Sequence, residues 1–190
     1  MHPDPRSPMI LDTRELSRRP GSTMSLQRRI EAPEDFGTEV VSVPTAAPIH
    51  LDLRLDSVME GVLVSGSVTA TAIGACVRCL DEVHVPVDVD FQELFVHTDR
   101  EAHAEELGDD EEDQYELDGD FADLEPVLRD AVVPSLPFQP VCQEDCPGLC
   151  SECGAHLRDD PNHHHEMLDP RWAALVDLTG APADTDEKRN

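Results

Sequence analysis

Residues Ile49–Val58 read IHLDLRLDSV, with Ile49, Leu51, Leu53 and Leu55 on alternate positions. Period two places these four side chains on one face of an extended chain, the pattern of a half-buried strand. The chain that follows, EGVLVSG and SVTATAIGA, is β-branched and predicts two arms of a hairpin turning near Ser65–Gly66. DEVHVPVDVDFQELFV alternates again, with Val83, Val85, Val87, Val89 and Phe91 on one face. Pro86 lies inside that run and has no N–H to give, which predicts an edge strand or a bulge there. Upstream, TEVVSVP (Thr38–Pro44) has strand composition, RRPGS (Arg18–Ser22) is a loop, and MILDTREL is a short strand running into a turn of helix. Residues 9–99 therefore read as a β-rich core, behind a disordered tail at 1–8.

Beyond that core the chain changes character. Residues 100–120 include EELGDDEEDQYELDGD, where like charges repel and little apolar content compensates, so a flexible acidic loop is expected. DLEPVLRDAVVPSLP then has helical spacing at Leu124, Val127, Leu128, Ala131 and Val132. Asp123 is suited to cap it, Pro126 is tolerated in its first turn, and Pro134 and Pro137 end it. DPRWAALVDL predicts a short terminal helix capped by Asp169, and residues 181–190 a frayed, disordered tail. Residues 121–180 thus hold a helix, a Cys/His segment and a terminal helix. The fold class expected is α+β and β-rich: an antiparallel or barrel-like sheet, a few short helices and a C-terminal zinc-knuckle-like segment, one domain overall.

The chain carries 41 acidic against 14 basic residues, a formal net charge of -27, and Lys188 is its only lysine. A field of that sign repels nucleic-acid phosphate at long range and attracts basic partners. Arg6, Arg14, Arg18, Arg19, Arg28 and Arg29 concentrate in the first thirty residues. They suggest a basic arm on an acidic body: a solvated tail, or a local RNA contact. The start has no long apolar run, and no window approaches the ~20 apolar residues of a spanning helix. A soluble, cytoplasmic protein is expected, with clustered cysteines serving as metal ligands rather than disulfides.

Those cysteines lie in two places: CVRC (Cys76, Cys79) and CQEDCPGLCSECG (Cys142, Cys146, Cys150, Cys153). Zinc takes thiolate and imidazole in a tetrahedron, and ligands two to four residues apart on a tight turn reach one ion. His163, His164 and His165 follow about ten residues on, and His163 and His165 are spaced to share a metal. Two arrangements remain open. One zinc is held by Cys142, Cys146, Cys150 and Cys153; or two zincs are held, one by Cys150, Cys153, His163 and His165, the other by Cys76, Cys79, Cys142 and Cys146. A lone Cys-x-x-Cys is often a buried pair of small residues, and three histidines in a polar loop are often surface residues. Four cysteines in twelve positions are a stronger signal. Either closed shell leaves no position for water, so the ion is structural. No Gly-rich phosphate loop, G-x-S-x-G or H-E-x-x-H is present, and no enzymatic activity is expected.

GACVRCLDEVHVPV (Gly74–Val87), LPFQPVCQEDCPGLCSECGAHL (Leu136–Leu157) and DPRWAAL (Asp169–Leu175) together resemble the YceD family, the large ribosomal RNA subunit accumulation proteins. Cys76, Arg78, Cys79, Leu80, Cys142, Cys146, Cys150, Cys153 and Gly154 sit at the family's motif positions. Where the family pattern often ends in Cys-x-Cys, this chain has three histidines, offset by one residue. The resemblance implies a non-catalytic ribosome-biogenesis factor needed for the synthesis, processing or stability of 23S rRNA. It implies large-subunit rRNA or the pre-ribosome as partner, with no membrane and no small-molecule substrate. RNA contact would fall to Arg78 and to Arg18, Arg19, Arg28 and Arg29. Family members often lie beside the gene for a small zinc-containing ribosomal protein, so the alternative is an acidic binding module or chaperone for a basic ribosomal protein.

Overall fold

The computed structural model describes residues 7–16, 19–97 and 115–165. Nine strands run in chain order: β1 (Ile10–Asp12), β2 (Thr23–Glu31), β3 (Phe36–Gly37), β4 (Val41–Val43), β5 (Pro48–Ser57), β6 (Gly61–Ala75), β7 (Glu82–His97), β8 (Tyr115–Asp118) and β9 (Phe121–Asp123). Among the described residues one helix, α1 (Leu124–Val132), follows, then a 3-10 turn at Val133–Ser135. The strands form one curled, open sheet ordered β1-β9-β8-β7-β6-β4-β3, with β5 beside β6 and β2 beside β5. Every pairing is antiparallel except β7 with β8. The chain divides into two compact units, residues 1–146 and 147–190, with the sheet in the first. The division falls between Cys146 and Pro147, inside the cysteine cluster.

The alternating stretches behave as their period dictates. Ile49, Leu51, Leu53 and Leu55 are all buried on β5, and Val87, Phe91 and Phe95 on β7. They join one core with Leu124, Val127, Leu128 and Val132 of α1. The expected hairpin at Ser65–Gly66 is not there: β6 runs unbroken from Gly61 to Ala75. Gly66 pairs with Leu53 on one side and Phe91 on the other. A Cβ at position 66 would meet the Asp52 carbonyl oxygen at 2.3 Å and Leu53 Cδ2 at 2.8 Å. The glycine therefore makes room for neighbouring strands rather than a turn. The true turns lie at Val58–Glu60 and Cys76–Asp81. Pro86 pairs with Thr71 of β6, and β8 joins β7 only at Phe95–His97. At Pro86, β7 is thus an edge among the described residues, as its missing N–H requires.

Two elements depart from expectation. The supposed basic arm contains β2, fully paired with β5 from Thr23 to Glu31. The acidic stretch expected to be loop through residue 120 ends instead in β8. There Tyr115 stacks on Phe95, with ring centroids 5.6 Å apart, and its hydroxyl donates to Asp130 Oδ2 on α1 at 2.5 Å. The anticipated terminal helix, the C-terminal tail and residues 1–6 of the N-terminal tail lie outside the described residues. Asp123 caps α1 as expected, its Oδ1 accepting from the Glu125 N–H at 3.0 Å. Asp123→Ala should cost about 1 kcal/mol of stability, read as a lower urea midpoint; an unchanged midpoint would show that the cap does not hold the helix.

Candidate metal centres

The first cysteine turn links β6 to β7. The Leu80 N–H donates to the Cys76 carbonyl at 2.9 Å, and the Cys76 N–H to the Asp81 carbonyl at 2.8 Å. These two bonds curl the chain so that both thiols face one side. The segment before residue 147 is laced to this turn. The Val77 N–H donates to the Pro140 carbonyl at 2.9 Å. Arg78 Nη1 donates to the carbonyls of Glu144 and Cys146 at 3.1 and 3.0 Å. Cys76 Sγ then lies 3.9 Å from Cys146 Sγ, and Cys79 Sγ 3.6 Å from Cys142 Sγ. All four sulfurs fall within 4.8 Å of one another. A tetrahedral ion with bonds of about 2.3 Å to sulfur needs neighbouring sulfurs roughly 3.8 Å apart, so the group fits one. Cys76, Cys79 and Cys146 are buried and Cys142 is exposed.

Four thiols packed this closely compete for protons. Burial acts to raise the Cys76 pKa, but the backbone N–H groups of Cys142, Cys79 and Arg78 and the Cys79 side chain outweigh it and bring it down to about 6. At Cys79 the Asp81 N–H favours the thiolate, yet burial and the sulfurs of Cys76, Cys142 and Cys146 push the pKa up. Cys142 is also pushed up, first by Cys146 and then by burial. The group is poised with one thiolate ready and other protons for an ion to displace.

The second turn repeats the first bond for bond. The Gly154 N–H donates to the Cys150 carbonyl at 2.9 Å, and the Cys150 N–H to the Ala155 carbonyl at 2.8 Å. N–H groups of Cys153 and Glu152 lower the Cys150 pKa. His163 Nε2 and His165 Nε2 lie 3.1 and 3.2 Å from Cys153 Sγ and 2.9 Å from each other. The four donor atoms of Cys150, Cys153, His163 and His165 again lie within 4.8 Å. The opposite ring nitrogens face carboxylates, His163 Nδ1 to Asp160 at 3.9 Å and His165 Nδ1 to Glu152 at 3.6 Å. Carboxylates behind imidazoles are the usual means of aiming them at a metal. Neither carboxylate was singled out in the sequence; the Asp-Pro-Asn turn, where Asp160 Oδ1 accepts from the Asn162 N–H at 3.1 Å, is the signal that points to Asp160. His164 turns its Nδ1 to the Asn162 carbonyl at 2.9 Å instead. The side chains thus group as in the two-ion arrangement.

One residue of the first turn breaks the parallel. Gly154 has φ 73°, and at the matching position Leu80 has φ 62°. Glycine takes this left-handed conformation freely, whereas leucine is strained in it. Nothing in the sequence signals that strain. Leu80→Gly should leave the turn intact and raise stability by up to about 1 kcal/mol, the strain relief being partly offset by glycine's freedom in the unfolded chain. A clear loss of stability on thermal melting would show that the Leu80 side chain packs usefully.

The arginines expected to touch RNA scatter. Arg28 points to the inner side of β2 and donates to the Ile10 carbonyl at 2.8 Å, so it anchors β1. Arg29 is exposed on the outer side of β2 and Arg19 is exposed near Gly21; Arg18 lies outside the described residues. Arg78 is exposed, with Nη1 occupied by the two carbonyls.

The family described as large ribosomal RNA subunit accumulation protein YceD matches residues 64–179, a span that holds all six cysteines and the three clustered histidines. The chain belongs to the YceD family. Over 179 residues it is 44% identical to Rv2926c of Mycobacterium tuberculosis, covering 94% of this chain and 85% of that protein. It is 44% identical to ML1660 of Mycobacterium leprae over 174 residues, covering 90% and 78%. With YlbN of Bacillus subtilis it shares 23% identity over 139 residues, covering 70% and 74%. No solved structure matches. Arg28 and Arg29 lie outside the YceD match, and Arg78 inside it. Among the described residues, no helix of this YceD protein is long and apolar enough to cross a membrane.

Proposed function

We propose that this YceD-family protein is a non-catalytic ribosome-biogenesis factor, needed for the synthesis, processing or stability of 23S rRNA and hence for accumulation of the large ribosomal subunit. The family match carries the reading, and the two donor groups support it. Cys76, Cys79, Cys142 and Cys146 would hold one zinc, and Cys150, Cys153, His163 and His165 a second. Thiolate and imidazole in fours are the donors zinc prefers, and a shell closed by four protein ligands makes a structural ion. Bound there, zinc supplies no reaction, only a fixed shape for two polar turns. RNA contact, where the chain makes one, falls to the exposed Arg19 and Arg29. With the surrounding charge of -27, such contact should be weak and fall steeply with salt.

The test is depletion of the protein in its own cells, followed by gradient separation of ribosomal subunits and quantification of 23S against 16S rRNA. A selective shortage of large subunits and 23S rRNA is expected, restored by the wild-type chain. Equal amounts of the two subunits after depletion would overturn the reading.

A further inference from the structure

Among the described residues, six large apolar side chains stand exposed, and four of them border the first cysteine turn: Val77 at 46%, Leu80 at 68%, Phe138 at 80% and Val141 at 36%. They are neighbours in space. The Val77 N–H is bonded to the Pro140 carbonyl, one residue from Val141. The 3.6 Å approach of Cys79 to Cys142 leaves Leu80 and Val141 each one residue from that contact. Phe138 follows Pro137 and lies two residues before Pro140, whose carbonyl accepts from the Val77 N–H. Water-exposed leucine and phenylalanine on backbone pinned by the Val77–Pro140 bond are what an interface uses as anchors, because less backbone entropy remains to be lost on binding. Leu80 is moreover kept in a left-handed conformation that costs energy, and strain of that kind gathers at binding sites.

The charges around this rim select the partner. Glu82, Glu144 and Asp145 are exposed on the two segments that carry it, Glu82 with its Oε1 3.0 Å from His84 Nε2, while Arg78 spends Nη1 on two carbonyls. Phosphate would be repelled and a cationic chain attracted. We infer that the rim formed by Val77, Leu80, Phe138 and Val141 docks a basic polypeptide segment through an apolar anchor side chain. This docking site stands on the surface itself and survives loss of the ribosomal role.

The probe is a fluorescent arginine-rich peptide with a central Leu-x-x-Phe pair, and its twin with both anchors replaced by alanine. Anisotropy titrations use the zinc-loaded full chain at about physiological salt, where diffuse attraction is screened. The anchored peptide should bind at least about tenfold more tightly than its twin. That preference should vanish in Phe138→Ser and in Leu80→Gly, the second of which relieves strain and so keeps the fold. The twin's weak, charge-driven binding should be unaffected by either substitution. Equal binding of the two peptides, or a preference that persists in both variants, overturns the inference. So does a single-stranded RNA oligomer whose binding is lost in those variants, or self-association of the chain that they abolish.

Discussion

Replacing Cys146 by serine should lower the zinc content of the purified protein from about two ions to about one and cost roughly 4 kcal/mol of global stability. Both effects follow from where the first group sits. Its ligands come from the β6–β7 turn and from a segment 63 residues further along the chain. An ion there acts as a cross-link, and chain-entropy arithmetic for a loop of that length gives the quoted energy. Serine offers no thiolate, and Cys146 is buried, so water does not readily take its place. Cys150→Ser makes the control. It should also remove one ion, but the loop it closes is local, from Cys153 to His163 over ten residues. Its effect should stay within residues 147–165 and leave the melting of the sheet unchanged. Metal analysis by mass spectrometry and urea denaturation of both variants would decide the matter. Unchanged zinc in Cys146→Ser, or equal global destabilisation by the two substitutions, would defeat the assignment of that group as a cross-link.

Some of this architecture was plain in the residues and some was hidden for physical reasons. The alternation at Ile49–Leu55 and Val83–Phe91 located β5 and β7 because each buries one face only. Gly66 misled because glycine serves both turns and crowded strand crossings; which one applies depends on Leu53 and Phe91, residues distant in sequence. β2 was hidden by its arginines. Arg28 occupies an inward position through its aliphatic stem and spends its charge on the Ile10 carbonyl, so charge counting read a strand as a solvated arm. β8 was hidden by acidic neighbours, since its parallel pairing with β7 leaves no local pattern. For the metal groups, spacing narrowed the ligands to two arrangements. Choosing between them required knowing that the β6–β7 turn meets the segment ending at Cys146, a fact of tertiary structure. The pairing of each imidazole with its own carboxylate, Asp160 or Glu152, is likewise a property of the folded loop.

The strongest pH effect should be on metal binding by the Cys76 group, isolated by His163→Ala combined with His165→Ala. Zinc binds thiolate, so every protonated thiol it displaces weakens binding about tenfold for each pH unit of acidification. Cys79 and Cys142 are both pushed above the usual thiol range, so both carry protons throughout the neutral region. Affinity should therefore fall by at least about a hundredfold per unit as pH drops toward 6. Below the Cys76 pKa of about 6, that thiol takes up a proton as well, and the slope should steepen by about another tenfold per unit. The sign is fixed by the raised groups: higher pH strengthens binding, lower pH weakens it. Competition against a chromophoric chelator, corrected for the chelator's own protonation, measures the slope directly. A dependence of tenfold per unit or less would mean that the thiols do not bind as thiolates displaced from protons. A slope with no break near pH 6 would show that the backbone N–H groups around Cys76 do not hold it apart from Cys79 and Cys142.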